Sequence, residues 1–416
     1  MPLPSDLRCR IRYVVLGNKL NHPPEAGKDE LDAVRVIRNR SELDELAGVW
    51  NAILQGCPRK NVFLTWEWVS NWVDMYLREN ELLTIVVYEE GLPRAIGPLC
   101  VQKERFLGGI TMKVLRFLGS GEICADHLDI MVNRDAQDVC AQRIWDHLFG
   151  PLRGEWDVFE YYDSPPNSTA LAAFRGWAGH DKRCVKSELV RDTICPYLDL
   201  PETWEAFLGQ CSGSRRYTIT YSMKKLAEQG RLEMRLCEER QELAGEMESF
   251  ISLHQKSWNE RGKPGAFSSA RFREFHRRVA GDFLEKGFLF LCSFNLDGTH
   301  VGSLYGFLYD RTLYYYLMGF ERNPMKRVKT GSAVIGYCIQ EAIRRGCREF
   351  DFLRGDEEYK YRWTSTDRRN LRVRFYNRTG RSCAFLIRNS MVGSNKKILK
   401  KLLGRHFPSA KRRVWG

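Results

Sequence analysis

Residues 323–346 read NPMKRVKTGSAVIGYCIQEAIRRG, and the stretch divides into a loop and a helix. Val334, Ile335, Cys338, Ile339, Ala342 and Ile343 recur at helical spacing, which predicts one buried face over 332–345 with Gly346 as the stop. The loop ahead of it gathers Lys326, Arg327, Lys329, Thr330, Gly331 and Ser332. A helix N-terminus presents unpaired backbone N–H groups and a partial positive charge, and a glycine lets a ligand approach the backbone closely. Cations, glycine and helix tip together are a recipe for gripping a pyrophosphate; a solvated helix start is the plainer alternative. The stretch holds no GxxxxGK[ST], and no GxGxxG follows a strand here.

Working outward, Leu313–Phe320 (LYYYLMGF) and Cys347–Leu353 (CREFDFL) read as strands, which places the helix in a β-α-β unit. Upstream, Phe288–Asp310 reads as a hairpin turning at Asp297-Gly298. Helices are expected near 214–229, 246–258 and 269–285. A similar order precedes it. Helices begin at Ser41 and around Trp66–Trp72, a hairpin turns at Glu90-Gly91, and a strand (127–132), a helix (136–149) and a strand (156–161) follow. The repetition points to an internal duplication. The equivalent loop of the first copy, VNRDAQD, carries Asp135 and Asp138 and no glycine, so only the second copy is expected to hold an anion.

A chain of 416 residues, 43% hydrophobic and 12% aromatic, has material for two cores. Its 13 cysteines are dispersed, with no CxxC pair and no zinc-ligand spacing, which fits a reducing compartment and no metal. No apolar run of membrane-spanning length and no secretory leader is read, so a cytoplasmic location is expected. The net charge of +13 is misleading. No Asp or Glu follows Asp367, while 15 Lys or Arg lie between Arg368 and Arg413, so the remainder carries about −2. That argues against a nucleic-acid partner for the main body. Within the basic end, 396–403 (KKILKKLL) forms an amphipathic helical pattern that suits an anionic membrane surface, or else docks on the protein with solvated lysines.

The run Phe350–Trp363 (FDFLRGDEEYKYRW), with LHQKSWNERGKPGAF (253–267), VGSLYGFLY (301–309), YLMGFE (316–321), FLTWEWVSNW (63–72) and IGPLCVQ (96–102), resembles the CelD/BcsL-type proteins of the GNAT acetyltransferase superfamily. These are similar to the tandem Fem peptidyltransferases. Val328–Ala333 fits the latter half of the superfamily's [Q/R]xxGx[G/A] loop, with Val328 where Gln or Arg is usual.

The resemblance implies an α/β (α+β) chain of two tandem GNAT-like domains, each a mixed, mostly antiparallel sheet flanked by helices. The expected division is an arm over 1–30, a first domain over 31–195, a second over 196–380, and a basic tail over 381–416. It also implies acyl transfer, acetyl first, from a CoA thioester to an amine or hydroxyl, with a small-molecule or saccharide acceptor in cell-envelope or exopolysaccharide synthesis. A Fem-like transferase using charged tRNA and a non-catalytic accessory protein are the alternatives.

Such chemistry needs a base, an oxyanion donor and an acid for the thiolate. Asp351, opposite Phe350 and Phe352 by strand alternation, is expected to be a base with a raised pKa, or else an ion-pair partner of Arg354 or a nearby lysine. Asp356 is a second base candidate or a turn cap. Lys360 resembles a Fem-type lysine facing the reacting carbonyl, or else is a surface lysine, and Tyr359 and Tyr361 are candidate acids. His254, Trp258 and Arg261 are expected to line the acceptor pocket with Tyr305, Arg354 and Trp363; His254 is alternatively the base or a core histidine.

Overall fold

The computed structural model describes residues 33–78, 80–106, 109–321 and 329–390. The arm 1–30, Lys326, Arg327 and the amphipathic stretch 396–403 lie outside the described residues. None of the described helices is long and apolar enough to cross a membrane.

In the second half, strands Leu289–Leu296, Thr299–Tyr309 and Thr312–Phe320 form an antiparallel meander. Its turns explain it. Asp297 and Gly298 have φ 49° and 79°, and Asp310 and Arg311 have φ 45° and 63°. Two consecutive left-handed residues are what a tight hairpin needs to match the twist of its strands. The helix Thr330–Arg344 follows and buries the six residues named from the spacing. Gly346, at φ 74°, ends it. The next strand, Glu349–Asp351, runs parallel to Thr312–Phe320. It is shorter than 347–353 because Leu353 turns to φ 56° and leaves the sheet.

The first half repeats the plan. Thr84–Glu89 and Leu92–Gly97 turn at Glu90-Gly91, both left-handed. Leu99–Arg105 and Thr111–Phe117 follow, and Thr111–Phe117 lies parallel to Val158–Ser164 across the intervening helix Gln137–Phe149. The strand expected over 127–132 is only Met131–Val132, since Cys124 (φ 48°) and His127 (φ 58°) break the extended backbone.

One long strand, Cys184–Asp199, joins the halves. Near its end it pairs with Glu349–Asp351, and along most of its length with Asp367–Asn377, which pairs in turn with Val158–Ser164. Strands of both halves thereby form one 11-stranded sheet beside a separate four-stranded one. The boundary expected between 195 and 196 falls inside that strand, and Asp367–Asn377, the last described strand, lies beside the first half. Trp68 also works at the seam: its buried ring makes edge contacts with Phe63 of its own half and with Phe275 and Phe307 of the other.

Candidate active site

The parallel strands of the second half stay together for three residues. Thr312, Leu313 and Tyr314 pair with Glu349, Phe350 and Asp351, after which Thr312–Phe320 continues with that edge unpaired in the sheet. A bulge starts at the same place. Tyr315 pairs with Gly306 and Leu317 with Tyr305, which leaves Tyr316 as the extra residue. Tyr316 and Leu317 therefore both pack on the core that the two halves share, while Tyr315 and Met318 pack on the side of the helix Thr330–Arg344. Gly306 makes room for this: a Cβ there would stand 2.3 Å from the Tyr314 carbonyl oxygen.

A cavity of about 770 Å³ fills the opening. On its helix side lie Lys329, Thr330, Gly331 and Ser332 with Tyr315, Tyr359 and Trp363. Among the described residues the first helical bond in that turn is Ala333 N–H to Lys329 O at 3.0 Å, so the amides of Thr330, Gly331 and Ser332 precede the ladder there. Lys329 occupies the cap position with no side-chain cap bond. Thr330 is buried, yet its Oγ1 has no partner among the described residues. Buried hydroxyls are rarely left so, and one at a cation-flanked helix tip fits a bound anion's oxygen. Gly331 lies against the Phe320 ring, where a Cβ would stand 3.2 Å away.

On the other side are His254, Trp258, Arg261 and Tyr316, facing a wall supplied by the first half: Glu122, Cys124 and Asp126. Arg354 ties that wall down. Its backbone N–H and Nε each donate to the Asp126 carboxylate at 2.9 Å, one Nη donates to Ala125 O at 2.5 Å, and Asp163 lies 3.2 Å away. Burial opposes the guanidinium charge, but Asp126 and Asp163 outweigh it and raise the Arg354 pKa. The Tyr316 hydroxyl donates to Ile123 O, accepts within reach of His276 Nε2 at 3.1 Å, and so fastens the bulge to the same wall. Nothing in the periodicity of residues 118–130 marks them as part of a site more than 200 residues away; the left-handed Cys124 and His127 are visible only in the fold.

His254 is buried on the helix Arg240–Asn259, and burial lowers its pKa to about 4, with a long contact to Gln255 Oε1 opposing. Its ring is neutral at physiological pH and lines the cavity. Tyr359 is pushed up to about 12 by burial and keeps its proton, its hydroxyl 3.4 Å from that of Tyr315.

Several expected site residues are placed otherwise. Asp351 is fully buried but does not line this cavity. Alternation does put it opposite Phe350 and Phe352, but that face meets the first half. There Oδ2 lies 2.9 Å from His127 Nε2 and 3.9 Å from Arg368, and Oδ1 accepts from Leu353 N–H at 2.7 Å. Burial pushes its pKa up, but His127 and Arg368 more than reverse this, so the net shift is downward, the opposite of the expected raised base. Asp351 is an interface anchor.

Lys360 lines the cavity, but its ammonium donates to the carbonyls of Leu353, Arg354 and Gly355 at 3.2, 2.6 and 3.3 Å and meets Glu357 at 2.9 Å. Three protons facing four acceptors leave no free donor for an oxyanion, so Lys360 clamps the turn after Asp351. Asp356 is exposed and Tyr361 donates to Asp367 at 3.2 Å, both away from the cavity. Tyr305 is a core residue whose hydroxyl meets His276 Nδ1 at 3.1 Å. Arg354 pairs with Asp126 rather than with Asp351.

In the first half, the start of the helix Gln137–Phe149 borders a shallow groove between helices with Asp138, Val139 and Trp177. Among the described residues no group of three or more His, Cys, Asp or Glu is placed to hold a metal.

Residues 213–361 match the family model described as the acetyltransferase (GNAT) domain. No curated protein matches the chain in sequence. Among solved structures, FemX is similar with a TM-score of 0.56 at 11% identity, over 80% of this chain and 96% of that one. A conserved protein of unknown function from Bacteroides thetaiotaomicron VPI-5482 is similar at 0.50 and 11% identity, over 80% and 97%. Those likenesses establish a FemX-like fold, within which residues 213–361 match the acetyltransferase (GNAT) domain.

Proposed function

We propose that the chain transfers an acyl group, acetyl first among them, from a CoA thioester to an amine or hydroxyl acceptor. The carrying observation is the joint opening of the helix tip and the parted strands into one cavity. When bound, the thioester supplies an activated acyl carbon and a thiolate leaving group.

The residues divide the remaining work. Lys329 and the amides of Thr330, Gly331 and Ser332 hold the diphosphate, with the Thr330 hydroxyl as a further donor. The unpaired edge of Tyr315–Phe320 lies along the path from that tip to the bulge, where backbone N–H groups are available to an oxyanion. From the opposite side, the neutral His254 ring accepts the acceptor's proton. Tyr359 and Tyr315, both protonated, stand on the thiolate's side of the strand. Trp258, Arg261 and the wall of Glu122 and Cys124 bound the acceptor. The setting in envelope or exopolysaccharide synthesis rests on the sequence resemblance of residues 350–363.

Incubation with acetyl-CoA and a panel of amines and hydroxylated sugars is expected to give an acetylated product by mass spectrometry; no CoA binding at millimolar concentration contradicts the reading. Since His254 is a base only when neutral and titrates at about 4, its requirement should leave the rate unaffected between pH 6 and 8. A loss should set in only toward pH 4, and a base limb centred near pH 7 would assign the proton transfer elsewhere.

A further inference from the structure

We propose that Cys124 is a redox modification site whose thiol exchanges with a CoA disulfide, leaving one CoA joined to the cavity wall. This rests on the acyl-CoA reading above. Cys124 is the one exposed cysteine among the described residues; Cys383 is half-buried and the others are buried. It lines the same cavity as Lys329, Thr330, Gly331 and Ser332.

Its position there is fixed. The carbonyl of Ile123, one residue before, accepts from the hydroxyl of Tyr316, the bulged residue where the strands part. Ala125 O and Asp126, the two residues after, are held by Arg354. Between these ties Cys124 is kept at φ 48°, an uncommon conformation for a residue with a side chain. Thr330 lines the same cavity, and its buried Oγ1, without a partner among the described residues, is the independent sign of a ligand. A carrier held by its diphosphate at the helix tip and laid along Tyr315–Phe320 brings its sulfur end to the bulge, beside Cys124.

The exchange balances. Cys124 gives its proton to solvent, and its thiolate sulfur attacks the nearer sulfur of the CoA disulfide. The S–S bond breaks, one CoA leaves as a thiolate and takes up a proton, and the other stays in a mixed disulfide with Cys124. Cysteine is oxidised and one CoA half is reduced, so the disulfide is the only oxidant needed. The adduct occupies the donor's path, and a dithiol reverses it. Partial desolvation by the cavity wall pushes the Cys124 thiol pKa up and Arg354 pulls it partly back, so exchange should quicken as the solution becomes alkaline.

The test is intact-protein mass spectrometry with peptide mapping of the full chain, treated with CoA disulfide or, at equal concentration, glutathione disulfide. One adduct is expected, on Cys124, forming at least about tenfold faster with CoA disulfide, because the cradle concentrates that reagent beside the thiol. Cys124→Ala should remove the adduct, and Lys329→Glu, with Cys124 in place, should slow CoA disulfide toward the glutathione rate. Equal rates with both disulfides, an adduct on another cysteine, or none at all overturns the proposal. Calorimetry with reduced CoA separates the two readings: if CoA binds but Cys124 does not exchange preferentially, only this inference fails, whereas absence of CoA binding removes the acyl-CoA reading as well.

Discussion

Gly331→Asp is expected to weaken CoA binding about 100-fold while leaving the melting temperature unchanged or slightly higher. The two effects separate because one position serves both helix and ligand. Gly331 is the second residue of the helix Thr330–Arg344, following Lys329 at the cap. An aspartate there faces the positive end of the helix dipole, which favours it by about 0.3–1 kcal/mol. The added Cβ meets the Phe320 ring at 3.2 Å and the Met318 methyl at 3.4 Å, which need yield only slightly. A diphosphate at the same tip would meet a like charge at close range, which costs several kcal/mol, and about 3 kcal/mol corresponds to the loss named. Titration calorimetry with CoA and thermal melts of both proteins check the pair of outcomes. Unchanged affinity would place the cofactor elsewhere.

Asp351→Ala is the other large effect, and it should fall on stability. His127 and Arg368 would face an empty, buried position, and removing one partner of such a group costs about 3–5 kcal/mol. The urea midpoint should drop accordingly, while the CoA affinity of the folded protein stays at the wild-type value, because Asp351 does not line the cavity. The pH dependence has a definite sign. The folded Asp351 carboxyl titrates below its ordinary value, so its contribution is complete above the unfolded value of about 3.9 and fades as pH falls through the lower folded value. Through this carboxyl alone, the stability gap between wild type and variant should thus close only in acid stronger than about pH 4. A fully stable variant with no transfer activity would restore Asp351 as a base.

These two residues mark what the sequence could and could not disclose. The helix tip was legible because its signals are local: apolar spacing from Val334 to Ile343, a glycine and a cation at the start, and a left-handed stop at Gly346. Alternation also assigned the correct face to Asp351. It was silent on what that face meets, and the partner turned out to be His127 of the other half, not an open cleft. Lys360 shows the same limit: its place in the motif was readable, but three backbone carbonyls around its ammonium appear only once the turn 353–355 closes. Glu122, Cys124 and Asp126 had no local signature, since long-range topology alone brings that loop to the cavity. Gly306 had one, a glycine inside a strand, whose meaning as a bulge emerges from its 2.3 Å clearance to Tyr314 O.

The central claim is that the opening turn at Lys329–Ser332 grips the diphosphate of a CoA thioester, and amide hydrogen exchange tests it most directly. Exchange of residues 329–336 followed with and without saturating CoA should show slowed amides at Gly331 and Ser332, with smaller changes along Tyr315–Phe320. Saturable CoA binding that leaves those amides exchanging at the unliganded rate would contradict it.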